Sequence, residues 1–134
     1  MSTLGTVLVV LIGGFLALMV GMQILIQSRA RALAGKPVPP IPGPIGARVS
    51  KSGRSLLYFF SPMCGACRAI TPRVKDLSQK NRSVFAVDVS DAGSVDVARA
   101  LQILATPSTV EIADGKIQAV YIGPIPQEVL ARFS

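Results

Sequence analysis

The hydrophobic and polar positions divide the chain into an apolar first segment, a proline-rich middle and a patterned remainder. The 23 residues Leu4–Ile26 carry no charge, and only Thr6 and Gln23 among them have polar side chains. As a helix this stretch is roughly 34 Å long, enough to cross a hydrocarbon layer about 30 Å thick. Buried helices of soluble cores are seldom apolar on every face. The pattern predicts a single transmembrane anchor over residues 1–28.

The alternative for this first segment is a cleavable signal peptide, since Ala32-Leu33-Ala34 resembles a cleavage site. A retained anchor is favoured because no Lys or Arg precedes the apolar run and the run is too long for a signal peptide. In addition, Arg29 and Arg31 lie between the run and the supposed cleavage site.

Small residues recur every four positions inside the predicted anchor, at Gly13, Ala17 and Gly21. They share one helix face, where a second helix can approach closely. One interpretation is a homodimer paired through this face. The other is that glycine is simply common in membrane helices.

Residues 29–54 form a basic, proline-rich juxtamembrane linker in this division of the chain. Residues 37–44 hold five of the ten prolines. Such a stretch favours polyproline II at about 3.1 Å per residue, which predicts a semi-rigid spacer of roughly 25 Å.

Residues 55–134 alternate between short β-rich runs and helical stretches. Strands are predicted at Ser55–Phe60, Ser83–Val89, Thr109–Ala113 and Ile117–Ile122. Helices are predicted at Ala66–Lys80 with a kink at Pro72, from an N-cap at Ser94 to about Leu101, and at Pro126–Phe133. Asp114-Gly115 is a two-residue hairpin signal. The order predicts an α/β fold whose mixed sheet has flanking helices.

The distribution of charge along the chain indicates whether the protein meets a lipid bilayer or a nucleic acid. The net charge is +7, yet residues up to 54 hold six basic and no acidic residues, while the remainder holds eight and seven. A cluster of basic residues next to an apolar segment is typical of a protein segment that lies at the surface of a lipid bilayer. No aromatic side chains interleave with them to stack bases, so nucleic-acid binding is not expected.

The absence of histidine excludes Ser-His-Asp and Cys-His catalysis and histidine metal sites. With two cysteines, a zinc site would lack two ligands. We therefore expect no metal site, and disulfide chemistry at the two cysteines would need no cofactor.

The motif Cys64-Gly65-Ala66-Cys67 follows the first predicted strand and opens the first predicted helix. Unpaired N–H groups at a helix N-terminus favour a thiolate, which predicts Cys64 as the nucleophile. Cys67 can then resolve a mixed disulfide. A structural disulfide over so short a loop would contribute only about 2 kcal/mol. Two incidental buried thiols would sit more naturally in the middle of an element. Redox catalysis is therefore favoured.

These residues resemble the thioredoxin family over roughly residues 55–133. The run 56–67 is similar to the family's active-site strand and loop, and Pro72 to its helix-kinking proline. Thr106-Pro107 resembles the family's cis-proline, and Gly115 and Gly123 fall at the family's spacings after it. The resemblance implies a thioredoxin-like fold with Cys64 and Cys67 catalytic.

The resemblance also implies where substrates bind. Thr106 and a cis Pro107 would pair with an extended substrate beside the loop residues Met63, Gly65 and Ala66. A loop proline without this role is the alternative.

Several positions depart from the family pattern. Met63 and Ala66 replace the familiar Trp and Pro, and Tyr58 stands in place of a buried acid. Ser83–Val89 lacks the acid's usual Lys partner, and the family's first strand and helix are expected to be missing.

The leading hypothesis is a membrane-anchored thiol–disulfide oxidoreductase that acts on protein thiols or disulfides near the bilayer. The alternative is a non-catalytic binding or assembly module at the membrane. The flanking charges predict a single-pass protein of the cell membrane with a cytoplasmic domain. Tethered relatives of this kind often face the extracytoplasmic or periplasmic side, which is the alternative placement.

Overall fold

The computed structural model describes residues 2–134 and contains five helices and four strands within that range. The helices are α1 (Thr3–Leu33), α2 (Gly43–Lys51), α3 (Thr71–Lys80), α4 (Ala92–Ala100) and α5 (Gln127–Phe133). The strands are β1 (Arg54–Phe60), β2 (Val84–Asp88), β3 (Ser108–Ala113) and β4 (Lys116–Ile122).

The four strands form one mixed sheet in the order β2-β1-β3-β4. β1 pairs with β2 in parallel and with β3 antiparallel, and β3 pairs antiparallel with β4. Phe59 is opposite Ser108, and Ser108 is opposite Ile122. The end of β1, the start of β3 and the end of β4 therefore lie at one end of the sheet, which we call the active-site end.

β1 is buried on both faces from Ser55 to Phe60, as its uninterrupted apolar run predicts. One face carries Leu57 and Phe59 into a core cluster that includes α2 and α4 residues. The other carries Leu56, Tyr58 and Phe60 into a cluster with α3 and α5 residues. The predicted α/β fold is confirmed.

The extended spacer predicted over residues 37–44 is wrong at its last two residues, because the helix α2 begins at Gly43 and continues to Lys51. Pro44 lies in the first turn of α2, where the missing N–H of proline breaks no helical hydrogen bond. Val49 belongs to the core cluster that contains α2 and α4 residues, which we call the α2-side core cluster, and Ile41 and Ile45 pack against it. A helix therefore precedes β1, in a stretch that was expected to be a proline-rich tether.

The apolar helix α1 extends beyond the predicted anchor boundary at residue 28, and it ends at Leu33. Its most apolar window has a mean hydropathy of 2.5 and none of it is buried, so α1 is long and apolar enough to cross a membrane. Signal sequences share this property.

Two predicted helix starts are corrected. α3 begins at Thr71, five residues later than predicted, and Pro72 lies in its first turn instead of kinking it. The N-cap residue of α4 is Asp91, and Ser94 already lies inside the helix. The hairpin prediction is confirmed, since Asp114 and Gly115 have φ of 53° and 72°, the left-handed values that this turn requires.

Candidate active site

The two cysteines lie in the turns that connect β1 to α3. The Cys64 N–H donates to the Ser61 carbonyl at 3.0 Å, and the Thr71 N–H donates to the Cys67 carbonyl at 2.9 Å. Cys64 and Cys67 form a disulfide with their Cα atoms 5.3 Å apart. The cysteines therefore precede the helix and do not open it, which corrects the predicted setting.

The Cys64 sulfur accepts a hydrogen bond from the Cys67 N–H at 3.2 Å. A backbone donor aimed at a sulfur stabilises negative charge there, which is the effect expected of a helix N-terminus. The turn thus supplies the donor that the sequence argument required, although α3 starts later.

The two sulfurs differ in access. Cys67 is 2% exposed and packs in the core cluster beside α3, whereas Cys64 is only partly buried. A substrate sulfur can therefore approach Cys64, while Cys67 is shielded until a mixed disulfide forms. The predicted roles, attack by Cys64 and resolution by Cys67, require this order of access.

The neighbouring loop carries the residues that the resemblance identified. The Thr106–Pro107 peptide bond is cis, as that resemblance implies. The Pro107 carbonyl accepts from the Gly123 N–H at 2.8 Å, which joins this loop to the end of β4. Thr106 and Ser61 line one groove of about 510 Å³. Thr106 therefore borders the same groove as Ser61, whose carbonyl accepts from the Cys64 N–H.

The remaining predicted contact residues lie on the surface of the cysteine turn. Met63 is 89% exposed, and Gly65 and Ala66 are exposed. No residue from 2 to 134 covers them, so this surface is accessible to a partner.

Two hydroxyl groups that the sequence did not predict as part of the site, those of Tyr58 and Thr71, are linked to the Cys67 carbonyl. The fully buried Tyr58 places its hydroxyl 3.0 Å from Oγ1 of Thr71, which donates to the Cys67 carbonyl at 2.7 Å. Because the Thr71 proton is used, the Tyr58 hydroxyl donates to Thr71. Burial raises the pKa of Tyr58 above its ordinary value, against a smaller opposite effect of the Thr71 hydrogen bond. The position that holds an acid in the family is neutral here.

A carboxylate lies in a groove beside Cys67. Asp88, at the end of β2, lines a second groove with Cys67, Lys75 and Thr71. Hydrogen bonds from the Ser90 hydroxyl and N–H hold the pKa of Asp88 below its usual value, so it stays ionised. Within residues 2–134, no group of three Cys, Asp or Glu side chains could hold a metal ion.

Comparison with known proteins agrees with this geometry. The sequence profile of the Thioredoxin family matches residues 46–134, more than half of the chain. Thioredoxin Asp f 28 of Aspergillus fumigatus is 35% identical over 68 residues, which span 51% of this chain and 63% of that protein. Thioredoxin H-type of Fagopyrum esculentum is 33% identical over 65% of this chain and 76% of its own length.

A solved structure shows the same fold. The crystal structure of reduced thioredoxin pre-protein from Schistosoma mansoni superposes with a TM-score of 0.55 at 26% identity, covering 68% of this chain and 88% of that one. The chain therefore belongs to the thioredoxin family of thiol–disulfide oxidoreductases, and it carries the Cys64–Cys67 disulfide within that fold.

Proposed function

We propose that this protein is a membrane-anchored thiol–disulfide oxidoreductase that exchanges disulfides with protein substrates through Cys64 and Cys67. The observation that carries the proposal is the Cys67 N–H aimed at the Cys64 sulfur, with Cys64 accessible and Cys67 buried. This arrangement stabilises a thiolate on the one sulfur that a substrate can reach.

In the reducing direction, the two cysteine thiolates reduce a substrate disulfide in two steps. The Cys64 thiolate attacks a substrate disulfide, so that a Cys64–substrate bond forms and one substrate thiolate leaves. The Cys67 thiolate then attacks Cys64 Sγ, which forms the Cys64–Cys67 disulfide and releases the second substrate thiolate. Two electrons pass to the substrate, and each released thiolate takes up a proton from water. Oxidation of a substrate dithiol is the same sequence reversed.

Substrate binding falls to the two neighbouring loops in this proposal. Met63, Gly65 and Ala66 offer an open surface, and Thr106, which precedes the cis Pro107, lines a groove with Ser61. An extended substrate segment can pair with the backbone before Pro107 while its sulfur reaches Cys64.

Membrane anchoring is supported by the apolar helix α1 and by its contact with the domain. Ala30 is buried and Leu33 packs on the α2-side core cluster, so cleavage after Ala34 would remove residues that the fold uses. A retained helix agrees with this contact better than a signal peptide does. The division into an anchor (1–28), a linker (29–54) and a domain (55–134) is part of the same proposal.

Two further features belong to the anchor. The flank before α1 has no Lys or Arg, whereas Arg29, Arg31 and Lys36 follow the apolar run, which supports a cytoplasmic domain in a single-pass protein of the cell membrane. Gly13, Ala17 and Gly21 lie on the exposed surface of α1, where a second copy can pack.

The full-length protein in liposomes tests the activity directly. We expect it to exchange thiols with a soluble protein disulfide such as insulin, and Cys64→Ser to lose this turnover. Cys67→Ser is expected to accumulate mixed disulfides with the substrate. A wild-type protein that exchanges with no disulfide, in either direction, would refute the proposed function.

A further inference from the structure

The connection between α1 and the domain is hydrogen-bonded along the edge of the sheet. The Gly35 N–H donates to the Ile117 carbonyl at 2.6 Å, and the Ile117 N–H donates to the Lys36 carbonyl at 2.9 Å. The Val38 N–H donates to the Gly115 carbonyl at 2.9 Å, and Pro37 pairs antiparallel with Lys116. Residues 35–38 are thus held beside the start of β4, at the sheet end remote from the active site.

The last turns of α1 pack on the same strand. Ile26, Ala30 and Leu33 form one helix face at spacings of four and three, and they are the α1 residues withdrawn from solvent in this region. With Ser108, Val120, Ile122 and Leu104 they line a common small cavity. Two of these partners, Ser108 and Ile122, stand at the active-site end of the sheet.

The direction of α1 follows from these two contacts. The chain meets β4 at its remote end at residue 35, and at residue 26 it has reached residues of the active-site end. Every residue from Thr6 to Leu25 is exposed, so the helix continues past that end away from the domain.

The bilayer position follows from the charges. The stretch without charge ends at Ile26, and Arg29 is the first cation after it. Such a cation marks the headgroup boundary of a span. The hydrocarbon layer therefore begins close to the level of Ser108, one residue after Pro107. Two large apolar side chains are exposed in the loops at this end, Met63 at 89% and Leu104 at 55%.

We propose that the active-site end of the domain faces the bilayer that holds α1, so that the substrates are cysteine pairs of integral membrane proteins at the membrane surface. This inference rests on the proposed function. Because the hydrogen-bonded connection leaves no free spacer, Cys64 is confined to a layer next to the lipid. A substrate cysteine in that layer meets Cys64 at a raised effective concentration, whereas one held far above the membrane does not.

A depth measurement tests the orientation. In full-length protein with Cys64→Ser and Cys67→Ser, a fluorophore is attached through Met63→Cys or, as the matched control, through Lys51→Cys. Lys51 is exposed and lies just before β1 at the remote end, roughly 20 Å away along the strand. In liposomes with nitroxide-headgroup lipids, we expect strong quenching at position 63 and little at 51. Equal quenching, or stronger quenching at 51, would overturn the orientation.

A substrate comparison tests the partner class. Two single-span peptides carry the same disulfide, one a helical turn above the hydrocarbon and the other on a helical stalk about 30 Å long. The near disulfide is expected to exchange at least about tenfold faster, as tethering raises effective concentration. Ala30→Glu should abolish this preference by breaking the packing of α1 on β4. Ala32→Glu places the same charge on the exposed side of α1 and should preserve the preference.

The outcomes separate the two proposals. If soluble insulin and both peptides exchange at equal rates, the bilayer-facing site is wrong and the oxidoreductase function stands. If no disulfide exchanges, including soluble insulin, the proposed function itself fails.

Discussion

The hydroxyl of Tyr58 donates to Oγ1 of Thr71 across 3.0 Å, and Thr71 in turn donates to the Cys67 carbonyl. This pair fixes the turn that holds the buried cysteine without placing a charge behind it. A carboxyl group at this position would titrate and could transfer protons to Cys67. A neutral phenol instead fixes the geometry of the turn through its hydrogen bond.

Removal of the Tyr58 hydroxyl should reveal this difference. We expect Tyr58→Phe to lower the free energy of unfolding by about 1 kcal/mol, the typical value of one buried hydrogen bond. Because the folded pKa of Tyr58 is raised above 10.0, its contribution is present below pH 10 and is lost as pH rises through the folded pKa. Denaturant unfolding from pH 7 to 11 measures both effects, and the alkaline loss should be smaller in the variant.

Tyr121 is the matched control for that titration, since burial also raises its pKa but its hydroxyl donates to Glu111 and makes no hydrogen bond to the cysteine turn. Tyr121→Phe should reduce the alkaline loss similarly and leave the exchange rate unchanged. Between pH 6 and 9, Tyr58→Phe should have the wild-type pH profile of exchange. A new or shifted inflection in that range would contradict a neutral role for Tyr58.

The two thiols of the reduced protein should differ in reactivity. Cys64 is partly exposed and its sulfur accepts the Cys67 N–H, whereas Cys67 is buried, so alkylation at pH 7 should modify Cys64 much faster. Mass spectrometry after a short iodoacetamide pulse gives the ratio. Faster modification of Cys67 would reverse the assigned roles.

Removing the charge of the buried Glu111 should destabilise the domain. It is 4% exposed and bridges Arg54 and Arg132, each at 2.9 Å. Glu111→Gln keeps the shape but removes the charge, and we expect a loss of about 1–2 kcal/mol, since both arginines are about half exposed and keep some hydration. Asp76→Asn, in an exposed pair with Lys80, is the control and should change stability by less than about 0.5 kcal/mol. Equal losses in the two variants would contradict this bridge.

The first turn of α2 should tolerate no side chain at Gly46. A Cβ added there would overlap the Ile41 carbonyl oxygen, so Gly46→Ala should cost about 1–3 kcal/mol of unfolding free energy. Gly53→Ala has open space and should be nearly neutral. If both variants unfold at the same denaturant concentration, residues 41–46 do not pack as described.

The side of the membrane is measurable in intact cells. With a cytoplasmic domain, a membrane-impermeant maleimide applied after mild reduction should label Cys64 only after lysis. Labelling without lysis would place the domain on the extracytoplasmic side and overturn the charge-based prediction.

Local chemistry determined much of this protein. The unbroken apolar run predicted β1, Asp114-Gly115 predicted the hairpin, and the spacing of Cys64 and Cys67 after a buried strand predicted the redox pair. Each of these signals depends on residues that are neighbours in sequence, so each is visible in a short window.

Tertiary structure decided what depends on distant residues. The proline-rich stretch predicted an extended spacer. Instead, Ile45 and Val49 pack with α4 residues in the core, and the helix α2 forms from Gly43 to Lys51. The Tyr58–Thr71 pair joins positions 13 residues apart. The packing of Ala30 beside β4 joins segments about ninety residues apart and sets where the apolar helix α1 meets the sheet. Burial of apolar surface drives such contacts, and its partners are set only once the sheet has formed.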